Sequence, residues 1–431
     1  MNKVKIALLG FGNVGSGVWK ILNSNEEEIT ERAGYKVEVA KILVRDLNKN
    51  RGAEVPKNLF TTNPDEIFED DDIKIIVEVM GGMEPAKDYM ERAIKSKKHV
   101  VTANKLAIAT IGDDLLNMAD EEGVALRYEA SVAGGIPIIH GIEECLTANK
   151  IKEIVGIING TTNYILTKMY LENMSFNDAL KEAQEKGYAE ADPTSDVEGY
   201  DPLYKLRILT SLAFGERVDV NSIYREGISN IEAIDVEYAK EFGYVIKLLA
   251  IVKDVNNVLE LRVHPTMIPA RHPLANVNDS FNAILIKGNA VGDLMFYGRG
   301  AGDLPTGSAV VGDIISILRN NIDLNKVIDK PNRVSKKKVN NMENTETQYY
   351  IRTTVKDVPG VLAEITTILG KNNVSVLSVI QKGKGQEYVT LVFVTHKTFE
   401  GNMMKSLEEI KKLSSVQKID NVIRVENGYK G

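Results

Sequence analysis

One cysteine, Cys145, stands in a chain of 431 residues. An intrachain disulfide framework is therefore excluded, and a reducing compartment is the natural setting. Histidine is scarce as well: five residues, scattered, with no Cys or His pair at the spacing of a zinc site. No apolar run approaches the roughly 20 residues that a membrane helix needs. The opening lysines followed by Ile6-Ala-Leu-Leu9 look like a signal peptide, but glycines interrupt the stretch at once and no small-residue cleavage pattern follows. A cytoplasmic protein is expected, with no membrane partner. A basic excess is missing too: the net charge is −7, against a nucleic-acid partner. What remains is ordinary globular material, 43% hydrophobic and 26% charged. The length suits about three domains.

Residues 1–133 alternate strand and helix patterns. Short β-branched runs at 4–9, 37–44, 73–80, 99–102 and 124–128 are separated by helical stretches, among them 85–96 and 113–122. Such alternation predicts right-handed crossovers and a doubly wound parallel sheet, an α/β fold. From 134 to 329 the texture is α+β, with helices at 136–147, 176–186 and 201–213 and strands at 151–158, 258–268 and 282–296. A helix at 306–319 carries Val310, Val311, Ile314, Ile315 and Leu318 on one side and is expected to return to the first domain. Residues 330–346 are polar and basic without apolar period, and read as a solvated linker. Residues 347–431 give strand 349–355, helix 360–370, strands 374–381 and 387–395, helix 399–413 and strand 416–425. That βαββαβ order predicts a ferredoxin-like module.

Gly10-Phe-Gly12-Asn-Val-Gly15 lies between a strand and a helix. Its glycines suit a tight turn, approach of a pyrophosphate and close helix packing, while the helix N-terminus offers free N–H donors. A dinucleotide is the expected ligand. The second strand ends at Val44-Arg45-Asp46, where an acid would bind a ribose 2′-OH and an arginine a 2′-phosphate. Both are present, with Lys49 and Arg51 close by, so NADP is favoured over NAD. Thr102-Ala-Asn-Lys105 follows an apolar strand at the sheet edge where open α/β folds bind ligands. Further on, Gly187-Tyr-Ala-Glu190-Ala-Asp192 leads towards Asp201 and Lys205, which fall at i and i+4 of a helix whose N-cap would be Asp201. Carboxylates to hold an ammonium beside a lysine to protonate an alkoxide suit reduction of an amino-acid aldehyde. Such a lysine needs its pKa lowered, by burial or by a second lysine. Standing alone, the Lys105 stretch reads as a surface lysine at a strand end and the Asp201–Lys205 stretch as a helix cap with an exposed ion pair.

Taken together, Gly-Phe-Gly-Asn-Val-Gly, Val-Glu-Val-Met-Gly-Gly, Thr-Ala-Asn-Lys, Ala-Gly-Gly-Ile-Pro, Asn159-Gly-Thr-Thr-Asn163, Gly-Tyr-Ala-Glu-Ala-Asp-Pro-Thr and Gly298-Arg-Gly-Ala-Gly302 resemble the homoserine dehydrogenases, in the same order over residues 3–320. The resemblance implies reversible reduction of L-aspartate 4-semialdehyde to L-homoserine with NADPH or NADH, on the route to threonine, methionine and isoleucine. It implies Lys205 as proton donor and Lys105 as a second active-site lysine near the nicotinamide. Glu190, Asp201 and Gly187 would meet the substrate. Gly10, Phe11, Gly12, Asn13, Val14, Gly15, Arg45, Thr102, Lys105 and Gly302 would meet the cofactor. Glu129, Val132, Gly134 and Ile136 match a loop that holds a monovalent cation in that family, and oxygen ligation suits Na⁺. Pro202 departs from the small residue expected there, at a position where proline is tolerated.

The terminal module resembles an ACT domain, with Asp357-Val-Pro-Gly360 leading into its first helix. Pathway logic makes threonine its effector, and the resemblance implies at least a homodimer through the middle domain. The competing reading is a non-catalytic amino-acid sensor on an inert dinucleotide-binding fold. Retention of Lys105, Glu190, Asp201 and Lys205 speaks against it. Cys145 is expected to be a packing residue within a helix, and no cysteine lies in a catalytic loop, which speaks against a thioester-forming semialdehyde dehydrogenase on the same fold.

Overall fold

The computed structural model describes residues 2–49, 51, 55–320, 337–383 and 386–427. Six parallel strands, β1 (Lys3–Leu9), β2 (Lys36–Leu43), β3 (Phe60–Thr61), β4 (Ile73–Glu78), β5 (His99–Thr102) and β6 (Leu126–Arg127), form the first sheet. Their order is β3-β2-β1-β4-β5-β6. Helices α1 (Asn13–Ser24), α2 (Glu26–Ala33), α3 (Asp65–Phe68), α4 (Ala86–Lys95) and α5 (Lys105–Glu122) connect the strands. With helices on both faces, β1 is buried without alternation from Ile6 to Leu9. The strand order turns back between β1 and β4, which opens a crevice at their carboxyl ends. The backbone N–H of Val79 donates to Leu9 O there at 2.9 Å. The acidic, low-hydrophobicity helix α2 is absent from the sequence reading.

The middle of the chain supplies α6 (Ile138–His140), β7 (Ile151–Ile157), α7 (Gly160–Glu172), α8 (Phe176–Glu185), α9 (Thr194–Val197), α10 (Tyr200–Phe214) and β8 (Tyr224–Arg225). Then come α11 (Ala233–Glu241), β9 (Tyr244–Val255), β10 (Val258–Pro269), β11 (Phe281–Gly288), β12 (Gly292–Arg299) and α12 (Asp303–Asn320). The expected helix over 136–147 is α6 followed by a wider π turn over Gly141–Cys145, and Cys145 is exposed rather than packed. The expected strand at 282–296 is a hairpin of β11 and β12. Helix α7 and strand β9 are additions to the sequence reading. Nearly all of α7 is buried, so it shows no amphipathic stripe. Helix α12 packs on α1: a Cβ on Gly17 would lie 2.0 Å from Asp303 O. Its Val310, Val311 and Ile314 join the core formed by Ile6, Leu8 and Val18.

The C-terminal part holds β13 (Lys338–Val339), β14 (Glu346–Lys356), α13 (Val361–Lys371), β15 (Val376–Lys382), β16 (Tyr388–Thr395), β17 (Thr398–Phe399), α14 (Glu400–Ile410) and β18 (Val416–Val425). Antiparallel pairing in the order β18-β14-β16-β15 makes the ferredoxin-like sheet. That sheet is not separate. Thr266 and Met267 of β10 pair in parallel with Arg424 and Val425 of β18, which joins the two sheets into one path from β12 to β15. Of the expected linker, residues 330–336 lie outside the described residues. The remainder is anchored: β13 pairs with β10, and Lys337 forms an ion pair with Asp254.

Candidate active site

The loop after β1 opens the crevice. Gly10 has φ +102°, and a Cβ there would meet Val79 O at 2.9 Å, so both conformation and space require glycine. Gly12 caps α1 without any side-chain hydrogen bond, and a Cβ on it would meet nothing within 4 Å. Open space before uncapped helical N–H groups fits a dinucleotide phosphate. Arg45 and Asp46 are exposed just beyond β2. The Asp46 carboxylate accepts from the backbone N–H of Asn48 at 2.8 Å. Arg51 stacks on the Phe60 ring, 5.3 Å from its centroid. The Phe11 ring is buried edge-on against Phe60, so only its backbone can face the crevice. Gly302, with φ +126°, precedes α12 close to α1.

Across the crevice, Glu78 ties two motifs together. Its carboxylate accepts from the backbone of Met80 at 2.8 Å and from the Thr102 hydroxyl at 2.6 Å. Thr102 is thus wholly buried and engaged. Asn104 caps α5, which brings Lys105 to the first position of that helix.

The N-cap of helix α10 falls two residues earlier than expected. Gly199 is its N-cap, so Asp201 lies inside the first turn and its carboxylate is free for other partners. It takes two lysines. Oδ2 accepts from Lys205 Nζ at 2.7 Å, and Oδ1 forms an ion pair with Lys105. Lys205 Nζ also donates to Ile158 O at 2.8 Å. Asn159 donates to both Asp201 Oδ2, at 2.8 Å, and Asp196 Oδ1, at 2.7 Å. Burial of an isolated carboxylate can cost about 4–7 kcal/mol. Two ammonium groups in direct contact offset it, since a charge pair is worth about 4 kcal/mol even at about 4 Å and an effective dielectric of about 20. Burial raises the Asp201 pKa, but Lys205 and Lys105 outweigh that and hold it well below the usual carboxylate range. For Lys205, burial wins over Asp201 and, with Lys105 adding repulsion, sets it below its ordinary value. Lys105, 41% exposed at its side chain, moves the other way. Desolvation lowers it, yet Asp201, Asp196 and Glu190 together raise it. Burial and the Asp201 charge push Asp196 up. Glu190 is exposed, and Gly187 turns the chain ahead of it with φ +74°. The pieces converge on one buried, charged cluster at the crevice.

Comparison with known proteins agrees along the whole chain. Residues 10–129 match the homoserine dehydrogenase NAD binding domain, 137–315 the homoserine dehydrogenase domain and 349–415 the ACT domain. A homoserine dehydrogenase of Bacillus subtilis is 40% identical over 436 residues, covering 100% of both chains. One of Synechocystis is 44% identical, covering 98% of this chain and 99% of its own. The chain belongs to the homoserine dehydrogenase family. A homoserine dehydrogenase structure from Thiobacillus denitrificans superimposes with a TM-score of 0.94 at 44% identity, covering 99% of each chain. A hyperthermophilic archaeal homoserine dehydrogenase in complex with NADPH has a TM-score of 0.61 at 29% identity, covering 73% of this chain and 97% of its own. The protein is an NAD(P)-dependent oxidoreductase acting on a CH–OH group, and the non-catalytic sensor is not favoured.

Within this homoserine dehydrogenase, the expected cation loop is already partly engaged. Both Glu129 carboxylate oxygens accept backbone N–H groups, from Ile139 at 2.9 Å and His140 at 2.7 Å. Each oxygen keeps a lone pair, so these bonds orient the Glu129 carboxylate and leave it able to ligate a hard cation. Ile136 O accepts from Ile138 at 2.8 Å. Among the described residues, no hydrogen-bond donor reaches the carbonyl oxygens of Val132 or Gly134. Those two oxygens are what a hard cation could use. Two residues of the cluster escape the sequence reading as site residues, Asn159 and Asp196. The signal for Asn159 was its place at the head of Asn159-Gly-Thr-Thr-Asn163, read as a family motif without a role.

Proposed function

We infer that this homoserine dehydrogenase works through the Lys205–Asp201–Lys105 cluster, and that the placement of one buried carboxylate between two lysines carries the reading. The nicotinamide cofactor supplies or accepts the hydride when bound. Lys205 gives its proton to the carbonyl oxygen of L-aspartate 4-semialdehyde as the aldehyde carbon is reduced. In the reverse direction, neutral Lys205 takes the hydroxyl proton of L-homoserine. Its lowered pKa supports both roles, because it brings the neutral form closer to working pH. Lys105, kept charged, holds Asp201 in place at the mouth of the site and meets the polar end of substrate or cofactor. Glu190 and the backbone at Gly187 receive the substrate ammonium, with Asp201 behind them.

Arg45 favours NADP, since its exposed guanidinium suits a 2′-phosphate, and Asp46 leaves NAD usable. Thr102 orders the loop beside the nicotinamide. The Val132 and Gly134 carbonyls, with Glu129 and Ile136, would hold Na⁺ beside Gly300, whose carbonyl lies against Gly134. The enzyme acts in the cytoplasm, on the route to threonine, methionine and isoleucine, as at least a dimer through the middle domain. Exposed Met295 and Tyr297 on β12, with Val291 in the turn before it, support that surface. Threonine acting at the ACT domain is the expected feedback signal. The test is oxidation of L-homoserine with NADP⁺ and NAD⁺ assayed separately, with and without Na⁺ and threonine. Absence of homoserine-dependent reduction of either cofactor by folded enzyme would overturn the reading.

A further inference from the structure

Two buried arginines of the ACT sheet grip the middle domain. Arg352 on β14 pairs with Asp235 at 2.7 Å and with Glu232 at 2.8 Å, at the start of α11. Arg424 on β18 is held by Glu400 within its own module, with Nε donating to Oε2 at 2.9 Å. From that fixed position it reaches Glu226 at 2.7 Å and the Tyr224 hydroxyl at 2.8 Å. The two grips differ in what lies behind them.

Behind Arg352 stands α11, which packs on β9 and meets α7 at the end away from Asn159, where Lys240 donates to Asn173 at 2.7 Å. Behind Arg424 stands the segment 224–229, and that segment is the seat of Val197–Tyr200. Ile228 N donates to Val197 O at 2.8 Å, and Ser229 Oγ donates to the Glu198 carboxylate at 2.5 Å. Arg225 donates to Glu198 O and lies 3.7 Å over the Tyr200 ring. The fit has no slack: a Cβ on Gly227 would lie 2.4 Å from Val197 O. Asp196 and Asp201 flank this seated stretch, one on each side.

We propose that Arg424 and Glu226 are positioning residues for the reaction, through which the ACT module sets the place of the Asp196 and Asp201 carboxylates. Asp201 then meets Lys105 and Lys205 only while the 224–229 segment is clamped. A cavity of about 440 Å³, lined in part by Glu226, Asn230, Asp420 and Arg424, adjoins the clamp, so a ligand there would act on it directly. The proposal rests on the assignment of Asp201 to the substrate site.

Glu226→Gln and Glu232→Gln form a matched pair, each removing one charge from the middle-domain side of one grip. In the full chain, Glu226→Gln should raise the KM for homoserine about threefold to tenfold, with the KM for NADP⁺ unchanged. Glu232→Gln should leave both constants unchanged. Equal effects from the two variants, or no effect of Glu226→Gln on the homoserine KM, would overturn the relay. If Glu226→Gln does not fold, Ser229→Ala decides: a raised homoserine KM supports the relay and an unchanged one overturns it. Asp201→Asn in parallel separates the two readings. A normal homoserine KM and turnover for Asp201→Asn removes the basis of the proposal, whereas an impaired Asp201→Asn beside a normal Glu226→Gln removes the relay alone.

Discussion

Lys205 and Asp201, one helical turn apart on α10, meet at 2.7 Å in the protein interior while Lys105, from another domain, closes on the opposite oxygen. Helix spacing accounts for the first contact. The second depends on how α5 of the parallel sheet faces α10.

Replacing Lys205 by alanine should lower turnover by about 10²–10⁴, the usual contribution of a positioned proton donor. Cofactor affinity, read by fluorescence titration with NADPH, should stay near that of the unaltered enzyme. A variant with normal turnover would move the proton donor elsewhere.

The pH profiles should show opposite limbs in the two directions. Homoserine oxidation needs neutral Lys205 and should rise with pH through a point below the ordinary 10.5 of lysine. Aldehyde reduction needs the ammonium and should fall through the same region. Asp201 raises the Lys205 pKa, so Asp201→Asn should move both limbs to lower pH. Steady-state rates across pH 6 to 10 (about neutral to lysine's range) test the sign.

His99 gives a stability prediction independent of catalysis. Burial lowers its pKa from 6.5 to about 4, and Nδ1 accepts from Ala125 N at 2.9 Å. The folded state therefore resists protonation that the unfolded chain accepts. Its stabilisation is complete above pH 6.5 and is lost as pH falls towards 4. The loss is up to about 3 kcal/mol over that window. Urea unfolding at pH 7 and pH 5 should show a smaller difference for His99→Gln than for the unaltered chain.

Gly17→Ala should separate α1 from α12, because the new methyl would stand 2.0 Å from Asp303 O. Overpacking of this kind costs about 1–3 kcal/mol. The melting temperature should fall and the KM for the cofactor should rise, since α1 carries the Gly10–Gly15 turn. A variant with unchanged Tm would show that the contact relaxes at no cost.

Local pattern made much of this protein legible. The β1 run, the glycines after it and the amphipathic face of α12 are short-range features, and each forms where the pattern puts it. The βαββαβ module reads equally well, because its helices bury one face and its strands are runs rich in β-branched and aromatic residues. Harder elements were those without contrast. Helix α7 is buried almost all round, and α2 is too polar to show a stripe.

The sequence by itself determined the domain types, the dinucleotide loop and the i, i+4 pairing of Asp201 with Lys205, all of which depend on residues near in the chain. Tertiary structure alone decided the rest. Gly199 took the N-cap and left Asp201 its carboxylate for the lysines. Asn159 came to bridge Asp196 and Asp201 across 37 and 42 positions. The backbone of α6 came to orient the Glu129 carboxylate, and β18 extended the sheet of the middle domain through β10. Apart from the cap, each of these pairs groups ten or more positions apart, and only packing fixes which buried donor meets which buried acceptor.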